Sequence, residues 1–454
     1  MRTMNELQSE FEVLEKLAKK EGAEVEMSVG QAESFSAGYQ QRKLKKYASD
    51  NAVSASFRVL YGKGTGVSTT EKMDAEALKL TFNEALQSAK DLSKSKTAKD
   101  LEPALHFGSQ PTDLPGLFHS DYSEIPIKDK LVWAEELEKS ALDFDTRVTN
   151  VPYSGYSNSA SQRFLLNSKG TRLSSRSSSL SAYSYALAKA DEDSKAGYMA
   201  FFSRMPTQLD TKKIAHSAAQ KSLAMLGATQ PTTGHWTVVL SNEVASSLVG
   251  LALSHFSAKA LDENTSLLKD KKGTQVFSNL LTWMDDPLLA HLPASRSFDA
   301  EGAAAQRTSL VENGVMQNYL TNLFYARKMN LPHTASAVRG AAEMDISSSN
   351  VIVQKGRALR ADLLRADKNV ILITEVEAIH SGYKEGTGDF SLPSAGFLYQ
   401  NGQMLGPLHQ FVFSGNLMTL LKDVSGISNE WNDDGSSVLA PDLLIPNVSI
   451  AGKN

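Results

Sequence analysis

The chain contains no cysteine, which excludes disulfides, thiolate nucleophiles and any zinc or iron–sulfur site that needs a cysteine ligand. Nor does it hold an apolar run of the ~18 residues that a membrane-crossing helix requires. Acids and bases nearly cancel, 51 against 47, so the basic footprint of a nucleic-acid binder is missing. The stretch from Met1 to Leu17 mixes acids with apolar residues and lacks the basic and apolar regions of a secretory signal. A soluble cytoplasmic protein is the default expectation. There is no Gly-x-x-x-x-Gly-Lys-Ser/Thr phosphate loop, no Gly-x-Gly-x-x-Gly fingerprint and no Gly-x-Ser-x-Gly elbow.

What is present describes an ordinary globular chain of 454 residues with 41% hydrophobic and 22% charged content, enough to bury a sizeable core. Leu7, Phe11, Leu14 and Ala18 recur at helical spacing up to Gly22, and Val25, Met27 and Val29 then alternate as in a strand. Ala55 to Tyr61 predicts a second strand, and a helix opening at Asp74 carries Leu78, Phe82, Leu86 and Ala89. Lys94 to Pro115 predicts a linker. A further helix carries Leu131, Ala134, Leu137 and Ala141. Tyr153 to Tyr156, Arg163 to Leu166 and Ser179 to Leu187 then suggest strands, the serine-rich run Ser174 to Ser181 reading as an exposed strand. Helices are expected from Asp210 to Leu226, after Asn242, and around Leu320 to Met329. No internal repeat is visible. The fold class is α+β, with an N-terminal helix-and-sheet region and a largely antiparallel β C-terminal domain. Its expected divisions are 1–110, 111–230 (packed with the first as one domain) and 231–454.

The densest chemistry lies in Ser297-Phe298-Asp299-Ala300-Glu301-Gly302, Gln306-Arg307-Thr308, Glu312-Asn313-Gly314-Val315 and Tyr325-Ala326-Arg327-Lys328. Acids, arginines and turn glycines between apolar runs suit a binding surface built on sheet. Asp299, Glu301 and Arg307 can form a charged network, since arginine binds carboxylates through paired hydrogen bonds; a solvated cluster is the plainer alternative. Tyr325 and Arg327 can line a groove for an extended peptide, or Tyr325 can pack in a core. Gly62-Lys63-Gly64-Thr65-Gly66 reads as a strand turn. Arg42-Lys43-Leu44-Lys45-Lys46 reads as the wet face of a strand.

These motifs resemble the PmbA/TldE side of the TldD/PmbA family. So does the order Gly386-Thr387-Gly388-Asp389-Phe390-Ser391, Ala395-Gly396-Phe397, Asn401-Gly402 and Phe413-Ser414-Gly415-Asn416-Leu417, together with Phe57-Arg58-Val59 and Asn167-Ser168-Lys169-Gly170. The likeness spans nearly the whole chain. One departure is Thr334 to Gly340, where the family often carries a histidine- and glycine-containing segment. The resemblance makes Asp299, Glu301, Arg307, Tyr325, Arg327, Asp389 and Asn416 candidates for substrate or partner contacts, with no catalytic residue assigned. The family's historical label, modulator of DNA gyrase, raises direct DNA binding, which the charge balance argues against.

A zinc peptidase of this kind needs two histidines one helical turn apart and a glutamate between them. The nine histidines, His106, His119, His216, His235, His255, His291, His333, His380 and His409, are scattered, and none precedes a glutamate. His255 stands near the place where the TldD branch carries His-Glu-x-x-x-His. The resemblance therefore implies the non-metal subunit of a heteromeric metallopeptidase acting on unfolded peptides. No metal is expected in this chain, and zinc or a similar divalent ion is expected in a TldD-like partner. The alternative is a non-enzymatic regulatory protein, homodimeric when alone. Glu375, Glu377 and His380 are the one local set that could hold a metal, against the plainer reading of a strand leading into a polar turn.

Overall fold

The computed structural model describes residues 2–95, 103–111, 113–119, 121–340 and 344–453. Helix α1 (Met4–Lys20) starts with a reciprocal cap: Thr3 Oγ1 accepts the Glu6 N–H, and the Glu6 carboxylate accepts the Thr3 N–H. It buries Leu7, Phe11, Leu14 and Ala18 and ends before Gly22, whose φ is 72°. Three antiparallel strands follow, β1 (Glu24–Gln40), β2 (Lys43–Tyr61) and β3 (Gly64–Thr70). Helix α2 (Ala75–Ser93), capped by Asp74, closes the unit.

After the short helix α3 (Asp121–Glu124) the same order returns: helix α4 (Ile127–Leu142), strands β4 (Val148–Asn167), β5 (Arg172–Ala190) and β6 (Asp193–Ser203), and helix α5 (Thr211–Ala224). The sequence shows no repeat, yet the architecture has one. β1 pairs antiparallel with β4, so the two units share one sheet in the order β3-β2-β1-β4-β5-β6.

Both helix pairs lie on the same face of that sheet. Along β1, Met27 and Val29 sit in the core under α1 and α2, while Phe35 and Ala37, of the same parity, sit in the core under α4 and α5. The last strand of each unit runs hard against its helix. A Cβ on Gly66 would lie 1.9 Å from the Ala85 carbonyl oxygen of α2, and one on Gly197 would lie 2.2 Å from that of Ala218 in α5. Only glycine fits there. The separate strands expected between Tyr153 and Leu187 are parts of β4 and β5. Serine is a weak strand former, so local pattern breaks up what the neighbouring strands hold together.

Of the expected linker, residues 96–102 and 112 lie outside the described residues. Nearby, Leu105 is buried and the His106 carbonyl accepts hydrogen bonds from Asn167 Nδ2 and Thr171 Oγ1, which fastens this segment to the sheet.

The C-terminal region begins with β7 (Gly234–Leu240), α6 (Asn242–Ala252) and α7 (Ala258–Asp262). β7 pairs in parallel with the strand Asn369–Val376 and antiparallel with Pro441–Ala451; Gln403–Asn416 and Asp389–Gln400 follow, and the last of these pairs back onto Asn369–Val376. Five strands of the sheet therefore close on themselves, while the short strands Tyr383–Lys384 and Gly426–Trp431 pair onto the closed set from outside. A second sheet contains β8 (Trp283–Asp285), β9 (Thr308–Glu312) and β10 (Val315–Met316). Helix α8 (Leu323–Met329) is three residues shorter at its start than the sequence pattern suggests, because Asn322 caps it by accepting the Tyr325 N–H. The architecture is mixed helix and sheet with a mainly antiparallel C-terminal part, in agreement with the expected class.

Candidate functional site: a buried charge cluster under the sheet

Alternation along β1 and β2 turns Glu26 and Arg58 away from the helices, onto the bare face of the sheet. Both are buried there by the C-terminal region. Arg58 lies 3.3 Å from the Glu26 carboxylate and 3.8 Å from that of Glu301; Arg339 reaches Glu26 at 2.7 Å. Arg163 of β4 donates to the Asp299 carbonyl oxygen at 2.6 Å and lies over the Phe298 ring. Three carboxylates, Glu26, Asp299 and Glu301, thus meet three guanidinium groups, Arg58, Arg163 and Arg339.

Asp299 organises the tight loop that carries this set. Its Oδ1 accepts the Glu301 and Ala303 N–H groups at 2.9 Å each, and its Oδ2 accepts the Ala337 N–H at 3.1 Å. Glu301 accepts the Leu323 N–H at 2.8 Å, which ties the loop to the first turn of α8. Burial pushes the Glu301 carboxyl up to about 7, with Arg58 opposing and Asp299 adding to the rise. Burial also acts on Glu26, but Arg58 and Arg339 outweigh it and hold that carboxyl below its usual range.

His333 joins this cluster. One ligand atom from each of Asp299, Glu301 and His333 lies within 4.8 Å of the others, and the His333 ring stacks on His106 at 5.8 Å. The donor set does not fit a hydrolytic divalent ion. Asp299 already spends both oxygens on backbone N–H groups, Glu301 holds Leu323, and the arginines balance the carboxylates. A divalent cation would add uncompensated positive charge in a buried place.

The sequence-predicted residues divide. Asp299 and Glu301 belong to the cluster, whereas Arg307 turns away and binds Asp286 at 2.7 Å with its side chain 62% exposed. The three do not form one network, because Arg307 follows the loop by enough residues to emerge at the solvent side of β9. Tyr325 is half-buried, packed on the C-terminal core, and shares a small cavity wall with Arg58, Glu301 and Asn322. Arg327 is exposed on α8. Asp389 and Asn416 meet across paired strands: Asn416 Nδ2 donates to Asp389 at 3.0 Å, while its Oδ1 accepts the Met418 N–H and caps the helix Leu417–Lys422. Glu375, Glu377 and His380 are all exposed and form no metal-type cluster among the described residues.

Glu26, Arg58, Arg163, Arg339 and His333 went unrecognised as site residues. The available signal was a single charge inside an otherwise apolar strand, as in Val25-Glu26-Met27 and Phe57-Arg58-Val59. A wet strand face gives the same pattern.

His255 lies on the 3-10 turn Leu253–Phe256 and is fully buried. Its Nδ1 accepts the Leu267 N–H at 3.4 Å, which puts the proton on Nε2, and Nε2 donates to the Tyr383 hydroxyl at 2.8 Å. Burial lowers its pKa. Both ring nitrogens are occupied, and a metal would have to displace those partners.

Three models of one family match successive stretches of the chain: the PmbA/TldA metallopeptidase domain 1 at 25–89, the central domain at 120–226 and the C-terminal domain at 233–452. The metalloprotease PmbA of Escherichia coli O157:H7 is 25% identical over 463 residues, covering 100% of this chain and 99% of that protein. A zinc metalloprotease TldD homolog of Saccharolobus solfataricus is 23% identical over 227 residues, 49% of this chain and 50% of that one. A Thermotoga maritima crystal structure, provisionally named a modulator of a DNA gyrase, superposes with a TM-score of 0.89 at 25% identity, covering 98% of this chain and 100% of that one. TldE from Thermococcus kodakarensis shares the fold with a TM-score of 0.86 at 19% identity, covering 98% of this chain and 100% of its own. With all three family domains in order and a relative matched from end to end, the chain belongs to the PmbA/TldD metallopeptidase family.

Proposed function

We propose that this chain is the non-metal subunit of a heteromeric peptidase of the TldD/TldE type, working with a TldD-like partner that holds zinc or a similar divalent ion and cleaves unfolded peptides. The observation that carries this reading is the state of His255. It stands where the sequence places it near the metal-binding motif of the TldD branch, yet it is fully buried with both ring nitrogens hydrogen-bonded. Among the described residues no carboxylate is a hydrogen-bond partner of its ring. The Asp299, Glu301 and His333 set supports the same conclusion, since its carboxylates are already taken by backbone N–H groups and arginines. The TldE likeness supports it at the level of fold.

On this reading the chain contributes shape rather than chemistry. Its C-terminal region, held under the sheet by the charge cluster, presents a surface that completes the partner's substrate path. The test is co-expression with a TldD-like protein carrying His-Glu-x-x-x-His, followed by cleavage of an unstructured peptide by each chain and by the mixture. The expected outcome is cleavage by the mixture alone, abolished by a chelator. Cleavage by the isolated chain that a chelator abolishes would overturn the assignment.

A further inference from the structure

The two units of the six-stranded sheet leave the same part of their middle strand without a third-strand neighbour, and they treat it differently. β3 pairs with β2 only from Ala55 to Tyr61, and β6 pairs with β5 only from Leu180 to Ala190. In the second unit the remaining edge is covered. The Ser178 N–H donates to the Leu117 carbonyl oxygen, its hydroxyl accepts the His119 N–H at 2.8 Å, and Arg204 donates to the Ser178 carbonyl oxygen at 3.0 Å. The bare face beside it is also satisfied from within: it carries a ladder of serines in which Ser157 meets Ser181 and Ser161 meets Ser177, hydroxyl to hydroxyl, at 2.8 Å. In the first unit residues 43–54 of β2 pair with β1 alone. Among the described residues no strand and no backbone hydrogen bond lies on their other side.

An open edge of this length, about 40 Å at ~3.3 Å per residue, is a template for another strand. Its charges are sorted by end. Lys43, Lys45 and Lys46 stand at the hairpin end, with a bulge at Lys45, where Gly38 faces Lys46 and Tyr39 faces Leu44. Asp50 stands toward the other end, and Glu33 of β1 lies beside it, opposite Asn51. All of these side chains are exposed. Lys46, Ala48 and Asp50 alternate onto the bare face, while Tyr47, 49% exposed and packed edge to face on Phe35 at 5.6 Å, points with Ser49 to the helix side. A partner strand must therefore bring acids to the hairpin end and bases to the far end. The same strand does so when it runs the opposite way.

We propose that this edge pairs antiparallel with the same edge of a second copy of the chain, with Ala48 on the two-fold axis, so that two six-stranded sheets join into one. Register picks out the axis. With Ala48 opposite Ala48, Lys46 of each copy stands opposite Asp50 of the other, their Cβ atoms ~5 Å apart, and Tyr47 lies against Ser49. Centring on Tyr47 or Ser49 leaves both charges without an opposite, and centring on Lys46 or Asp50 sets like charges face to face. The same axis lies within a residue of the midpoint of the free edge, so the second copy's turn at Gln41-Arg42 comes level with Ala55, where the cover of β3 begins. The pairing is short, at the weak end of specific interfaces, and Lys43 and Lys45 keep unmatched strands away. This association lies beyond the subunit reading and does not rest on it.

Sedimentation velocity of the full chain across a wide range of concentration tests the pairing. The wild type is expected to pass reversibly from monomer to dimer. Asp50→Lys and Lys46→Asp each set like charges opposite one another and weaken the dimer about ten-fold or more. The double variant, with the pair reversed, returns to within about three-fold of wild type. Because the chain has no cysteine, Ala48→Cys gives a second readout that changes no charge: on the axis the two thiols are close enough for diamide to join them in a disulfide between copies, whereas those of Ala52→Cys, displaced along the strand, are not joined. A wild type that stays monomeric, a dimer that Asp50→Lys leaves as tight, a double variant that does not recover, or crosslinking no greater at position 48 than at position 52 overturns the pairing. The isolated chain is used throughout, so these results leave the peptidase reading to its own test with a metal-bearing partner.

Discussion

The two halves of the N-terminal sheet are built to one plan and put to two uses. Each is a helix, three antiparallel strands and a second helix, with a glycine where the last strand meets the closing helix. Their helix-facing cores are alike in kind, rich in alanine and phenylalanine or tyrosine. On the bare face they part. The first half presents Glu26 and Arg58, which the C-terminal region covers and pairs. The second presents the serine ladder and exposed tyrosines. The difference teaches that a strand's core-facing residues decide whether the unit folds, while the residues between them are free to specialise.

That contrast can be broken on purpose, most severely at the charge cluster. Arg58→Met removes the guanidinium that Glu26 and Glu301 share, leaving Glu26 with Arg339 alone and the buried Glu301 without its arginine; a loss of about 3–5 kcal/mol in urea unfolding is expected. The shared plan is tested next by Gly66→Ala and Gly197→Ala. In each, the new methyl group meets a helix carbonyl, and both halves should lose similar amounts, about 1–3 kcal/mol by thermal or urea denaturation. A large loss in one half only would mean that the resemblance between them is superficial.

Glu301 gives a pH signature. Its folded pKa, pushed up to about 7, lies above its unfolded value near 4.5, so the native state holds a proton that the unfolded chain releases first. Its contribution to stability therefore falls as pH rises from about 4.5 to about 7 and stays low above that. Glu301→Gln, which can still accept from Leu323, removes this dependence, and the variant should gain on the order of 2 kcal/mol over the parent at pH 8 relative to pH 4.5. Glu26, held low by its arginines, acts in the opposite sense: its contribution is present above the usual carboxylate pKa and is lost as pH falls through its lowered value. The smallest effect belongs to the other bare face. Tyr198→Ser, at a half-exposed position, should change stability by no more than about 0.5 kcal/mol. A larger loss would show that the tyrosines hold the fold rather than offer a surface.

Much of the local structure was legible. Helix α1 announces itself by Leu7, Phe11, Leu14 and Ala18 and by a cap and stop within a few residues, and each of these signals acts over one or two turns. The turn at Gly62, the helix starts at Asp74 and Asp210, and the strand character of the serine run were readable for the same reason. The length of β4 and β5 was not, because serine and glycine weaken the pattern and neighbouring strands supply what the segment lacks. Asp299 and Glu301 drew notice through their loop, and they do lie at the centre of the cluster. Their partners come from β1, β2 and β4, so Glu26 and Arg339, 313 residues apart, looked like unrelated surface charges.

By itself the sequence determined the order and type of most elements, the lack of thiol chemistry and the scatter of the histidines, since periodicity, caps and composition are properties of neighbours along the chain. The tertiary structure alone decided that the two units share one sheet, that Arg307 leaves the acids it follows, and that His255 is locked between Leu267 and Tyr383. Those outcomes depend on which distant groups are buried together, and burial is what makes a charge need a partner or a ring nitrogen keep one.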